Sequence, residues 1–172
     1  GAVTTLAGSP GTSGSTNATG TSARFNSPRG ITTDGTNLYV ADANNHMIRK
    51  IVISTGAVTT LAGSTSSGSS NGAGTSARFN YPRGITTDGT NVYVSDTNNH
   101  MIRKIVISTG AVTTFAGSTS YGSTNAMGTS ARFNYPRGIT TDGTNLYVAD
   151  ASNHMIRKIV ISSGAVTTLA GS

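Results

Sequence analysis

A chain of 172 residues without a single cysteine can form neither disulfides nor thiolate metal sites. Its charge is sparse and one-sided, 12 Lys and Arg against 6 acidic residues, all of them Asp, for a formal net charge of +6. That excess admits anionic partners such as nucleic acid, anionic glycans or a membrane surface, and selects none of them. No apolar run is longer than one strand, so the residues contain neither a signal peptide nor a transmembrane segment, and localisation stays open.

In chain order, Gly1–Ser9 reads GAVTTLAGS and recurs at Gly56–Ser64, at Gly110–Ser118 with Phe115 in place of Leu, and at Gly164–Ser172. The chain starts inside its own repeat and reads as an excerpt. Pro10–Ser22 is rich in Gly, Ser, Thr and Asn and is expected to bury too little apolar area to order itself. Thr65–Ser76 and Thr119–Ser130 are its later counterparts. Each linker ends in Ala-Arg-Phe-Asn, then Ser or Tyr, then Pro-Arg-Gly, and Phe25, Phe79 and Phe133 are expected to pin it to the core.

Four strands then follow, in the first unit about Gly30–Thr33, Leu38–Ala41, Met47–Ile53 and Ala57–Ala62. Val, Ile, Thr and Tyr between Gly-rich turns favour sheet over helix. Asp34-Gly35 and Thr55-Gly56 signal hairpins, and Asp42–His46 is a tight run of turn-forming side chains. The third strand, with Ile51, Val52 and Ile53, reads as apolar on both faces, and the fourth, with Thr59 and Thr60, as half exposed. His46, His100 and His154 fix the period at 54 residues. A repeat of that length, built of antiparallel hairpins, describes a propeller blade, which buries its faces only against other blades. The predicted organisation is an extra outer strand at 1–9, linkers at 10–23, 65–77 and 119–131, and blades at 24–64, 78–118 and 132–172.

Pro28-x-Gly30-Ile31, Asp34, Leu38-Tyr39-Val40-Ala41-Asp42 and Asn45-His46-x-Ile48-Arg49-Lys50, present three times in register, resemble the NHL repeat, with Met47, Met101 and Met155 where its name has Leu. The resemblance implies an all-β propeller of four-stranded antiparallel blades, commonly six per ring, that serves as a binding platform; some relatives bind RNA or protein through one face, and a lyase subgroup is catalytic. Three blades do not close a ring, and open blade flanks would expose more apolar surface than a soluble monomer tolerates. A homodimer of six blades is therefore favoured, a homotrimer of nine being the alternative. Six blades need 24 strands and two chains supply 26, so Gly1–Ser9 and Gly164–Ser172 are expected to compete for one outer position.

Topology puts the linkers and the turns after the second strands at one end of the ring. Arg29, Arg83 and Arg137, just before the innermost strands, should surround the channel mouth, with Tyr81 and Tyr135 beside them. Planar guanidinium donors suit phosphate and carboxylate, and the tyrosines could stack a base, so RNA or another polyanion is the alternative ligand class. The plainer role for each Arg is pairing with a neighbouring blade's Asp or carbonyl. His46, His100 and His154 repeat around a ring and cannot converge on one metal ion, so no metal or other cofactor is expected. They are assigned to their own turns, hydrogen-bonded to Asp42, Asp96 and Asp150, which in turn accept backbone N–H bonds. No nucleophile signature or paired carboxylate appears, so the chain is expected to be a non-catalytic scaffold binding itself and a protein or anionic ligand, with no membrane partner.

Overall fold

Alternating β-branched residues and Asx-type turns fold the chain into three small sheets. The computed structural model describes residues 1–171. The first blade runs β1 (Pro28–Thr33), β2 (Asn37–Asp42), β3 (Met47–Val52) and β4 (Ala57–Gly63), in that spatial order and antiparallel. The linker that follows contributes a two-residue strand, β5 (Gly72–Ala73). The second blade is β6 (Pro82–Thr87), β7 (Asn91–Asp96), β8 (Met101–Val106) and β9 (Ala111–Gly117), and β5 adds to its outer edge. The third is β10 (Pro136–Thr141), β11 (Asn145–Asp150), β12 (Met155–Val160) and β13 (Val166–Ala170). All three blades are all-β and agree with the predicted four strands to within a few residues. Among the described residues no helix is long and apolar enough to cross a membrane.

The first hairpin of each blade is closed by one carboxylate. Asp34 Oδ1 accepts from the backbone N–H of Thr36 (2.9 Å) and Asn37 (2.7 Å), and Asp34 Oδ2 accepts from the Tyr39 hydroxyl (2.7 Å). Gly35 supplies the left-handed residue, φ 88°, that this turn requires.

The core lies between blades, not within them. The trailing face of the first blade (Tyr39, Ala41, Ile48, Ala62) packs on the leading face of the second (Phe79, Ile85, Val92, Val94, Ile105). The same pairing recurs between Tyr93, Ile102 and Ala116 and the third blade's Phe133, Leu146, Val148 and Ile159. Two faces stay open. Ile31 on the first blade is 62% exposed, and Ile156 and Leu169 on the third are 41% and 58% exposed.

Three expectations change. The linkers are ordered: backbone bonds run from Arg24 N to Thr16 O (3.1 Å) and from Val58 N to Ala18 O (2.9 Å), so each lies along the outer edge of the blade it precedes. The third strand is not apolar on both faces, because Arg49, Arg103 and Arg157 are fully buried in it. Gly1–Ser9 pairs with no described strand. The described residues do hold thirteen strands, but the additional one is β5, and β13 completes the last blade.

Residues 1–9 nonetheless occupy a specific seat. A Cβ on Gly8 would meet the Phe25 ring at 3.4 Å, as one on Gly63 would meet Phe79 (3.0 Å) and one on Gly117 would meet Phe133 (2.9 Å). Ala7 packs against the cluster of Ala23, Val40, Ile51 and Val58 as Ala62 packs against the second blade. The segment therefore lies where the outer strand of a preceding blade would lie, held by one backbone bond, Gly8 N to Gly20 O at 3.1 Å.

Candidate functional site

One end of the molecule carries three linked features. The first is a clamp on the linker. Buried Arg49 donates from Nη1 to Asp42 Oδ2 (2.8 Å) and to the Arg24 carbonyl (3.0 Å), and from Nη2 to Thr16 O (3.1 Å) and Asn17 Oδ1 (2.7 Å). Arg103 makes the same set to Asp96, Arg78, Ser70 and Asn71, and Arg157 to Asp150, Arg132, Thr124 and Asn125. Each guanidinium also lies over a phenylalanine ring, 5.2, 5.1 and 5.2 Å from the centroids of Phe25, Phe79 and Phe133. Oδ1 of Asp42, Asp96 and Asp150 accepts the backbone N–H of Asn26, Asn80 and Asn134 at 2.7 Å, as expected of these turn carboxylates. The ion pair was not foreseen from the sequence. Its signal was an Arg inside the Ile-Arg-Lys-Ile run of every third strand.

The second feature is a clasp between blades. His46 Nδ1 accepts the backbone N–H of Tyr81, and His100 Nδ1 that of Tyr135, both at 3.1 Å. This corrects the assignment of the histidines to their own turns, since the partner belongs to the next blade. Both ends of the clasp have left-handed backbone: φ is 56° at His46 and 58° at His100, and 58° at Tyr81 and 51° at Tyr135. Residues with a Cβ rarely adopt it, and it persists only where the surroundings enforce it. Burial pushes the His46 and His100 pKa values down, which favours the neutral imidazole that can accept a proton. Ser27 already has φ 54° with no histidine opposite it, and the exposed His154 imidazole has no hydrogen-bond partner among the described residues.

The third feature is the channel wall. The Arg-Gly-Ile triplets 29–31, 83–85 and 137–139 line one groove of about 320 Å³. Each Arg falls at a register shift between the inner strand and its neighbour, where a bulge redirects the side chain. The inner strands crowd together here. A Cβ on Gly30 would collide with the Arg83 carbonyl, and one on Gly84 with the Arg137 carbonyl, whereas one on Gly138 would meet only Ala149, at 3.6 Å. Arg29 donates to the Tyr81 hydroxyl (3.2 Å), and the Arg83 guanidinium lies 4.9 Å from the Tyr81 ring centroid. That hydrogen bond from Arg29, with both positive charges close by, holds the Tyr81 phenol below its ordinary pKa. Tyr135 instead meets His100 edge-on, 4.6 Å between centroids. None of the three arginines has a carboxylate partner among the described residues, so the expected pairing with a neighbouring Asp is not found. Among the described residues no three His or Asp side chains gather into a metal-binding group.

The family model described as NHL repeat matches residues 79–105. NHL repeat-containing protein 2 of Homo sapiens is 33% identical over 144 residues, covering 77% of this chain and 20% of that protein. The chain thus spans about a fifth of the length of the curated relatives it matches. The crystal structure of an auxiliary nutrient binding protein from Bacteroides thetaiotaomicron superposes with a TM-score of 0.66 at 26% identity, covering 81% of this chain and 37% of the other. Virginiamycin B lyase from Staphylococcus aureus shares the fold alone, with a TM-score of 0.59 at 22% identity over 84% of this chain and 41% of the other.

Proposed function

Because this chain belongs to the NHL-repeat propeller family, we propose that it is a non-catalytic binding and scaffolding module, a half-ring of three blades that closes into six with a second copy. The family fold and a neighbour described as nutrient binding support the binding reading. Three nearly identical blades also bring no differing residues to one point, as catalysis normally requires.

The observation that carries ring closure is a set of matching halves at the two open flanks. Ser27 has the backbone of a clasp without its histidine, and His154 is a clasp histidine without its backbone partner. Gly138 leaves the space that Gly30 and Gly84 fill with a neighbour's carbonyl. The exposed trailing face of the third blade repeats the residues that the first blade buries against the second, Tyr147, Ala149 and Ile156 for Tyr39, Ala41 and Ile48.

Light scattering tests the reading. The expected mass is twice 17.4 kDa. Gly138→Ala has room within one chain and would meet a backbone oxygen across the closed joint, so it should yield a folded single chain. A nine-bladed trimer would show three times the chain mass. A compact single-chain species in the unsubstituted protein would refute closure.

A further inference from the structure

We infer that Arg29, Arg83 and Arg137 are half of an anion-binding collar on the propeller axis, whose ligand is a compact molecule carrying several phosphate groups. The inference names a ligand for the proposed binding platform, and the second half of the collar rests on ring closure.

Four observations carry it. Three arginines line one groove of about 320 Å³ with no carboxylate to neutralise them, since every Asp at this end of the molecule is committed to a buried arginine of its own blade. Left alone, such a cluster repels itself; a bound anion removes that cost. Each Arg stands at a strand bulge, the device by which a sheet turns a side chain towards a site. Tyr81 spaces two of them, accepting from Arg29 on its hydroxyl and carrying Arg83 on its ring, and its own backbone is fixed by His46. Arg83 Nε is buried and has no hydrogen-bond partner.

The groove's other wall is a row of isoleucines, of which Ile85 is only 6% exposed. An apolar floor lowers the local dielectric and strengthens every charged contact above it. Guanidinium groups arriving from several sides suit the tetrahedral oxygens of phosphate better than one planar carboxylate. The small volume favours a compact anion over a nucleic-acid strand, which would need an extended groove and a row of stacking rings.

Calorimetric titration with inorganic tripolyphosphate, on samples whose mass is read by light scattering, tests the collar. One tripolyphosphate per two chains is expected. Replacing the exposed pair Arg29 and Arg137 by Gln should weaken binding about tenfold or more, the scale of a lost charged hydrogen bond. The triple change of Lys50, Lys104 and Lys158 to Gln removes three positive charges elsewhere and should alter affinity less than about threefold. A chain that stays single yet binds with the same dependence on Arg29 and Arg137 would keep the collar and discard the ring. Equal weakening by the lysine and arginine changes would overturn the collar, as would a closed ring that takes up no tripolyphosphate. Displacement of tripolyphosphate by a 12-nucleotide single-stranded RNA that binds far more tightly, and loses affinity equally with Arg29 and Arg137, would overturn it in favour of nucleic acid.

Discussion

Arg103 is the centre of the polar clamp of the second blade. It is fully buried, paired with Asp96 at 2.8 Å, and donates to two linker groups. Removing one member of such a pair strands the other charge in the core, which costs about 3–5 kcal/mol. Arg103→Ala is therefore expected to lower the urea midpoint sharply. Arg24→Ala, which loses only bonds to the carbonyls of Thr21 and Ala23, should cost under about 1 kcal/mol. At this scale the sequence was half legible. The turn chemistry of Asp42 and the pinning role of Phe79 and Phe133, both fully buried, could be read locally. The clamp could not, because the partners of Arg49 on the linker, Thr16 and Asn17, lie 33 and 32 residues earlier in a polar run that offers no hydrophobic pattern. The partner of His46 was hidden for a similar reason: the Tyr81 N–H is 35 residues away and in another blade.

Strands and hairpins were legible almost residue by residue, since their signals are local: a period of two, an Asp-Gly turn, a Gly after the third strand. Their stability should depend on pH in two windows. Burial pushes the Asp34 and Asp88 carboxyls up, but donors from Asn37, Thr36 and Tyr39, and from Asn91, Thr90 and Tyr93, outweigh it and leave both below the ordinary value of 3.8. Asp142 is lowered by the backbone N–H groups of Asn145 and Thr144. The unfolded chain thus binds these protons more tightly, so the stabilisation is complete above the ordinary carboxylate pKa and is lost as pH falls from about 4. Urea midpoints should drop steeply below that point, and Asp88→Asn should flatten the slope. The histidine clasps respond earlier. Burial depresses His46 and His100, with the Asp150 charge opposing it at His100, so both favour the folded state while neutral and oppose it once protonated. The packing of one blade on the next should therefore loosen as pH falls below about 6, the range in which free imidazole takes up a proton. Amide exchange at Tyr81 and Tyr135 would report it first.

Three units in tandem could be read from the repeat, and so could the surplus of outer strands. Which copy would be paired could not, because Gly1–Ala7 and Gly164–Ala170 are the same sequence and only chain connectivity distinguishes them. Connectivity favours β13, which keeps four register pairs with β12, while the leading copy keeps one backbone bond and a half-buried Ala7, its Leu6 being exposed. That copy nevertheless sits where the outer strand of a preceding blade would lie, so closure of the proposed ring has to evict it. Breaking its hydrogen bond and uncovering its apolar side chains costs about 1–2 kcal/mol. Removing residues 1–9 is expected to lower the dimer dissociation constant about tenfold, measured by sedimentation, and an unchanged constant would mean the segment is no obstacle. In the proposed ring the same twinning makes the latch replaceable. A ribbon of that sequence, from the chain's own end, from a neighbour or added as a peptide, would compete for the same keeper, so fastening and release would follow supply rather than a change in the blades.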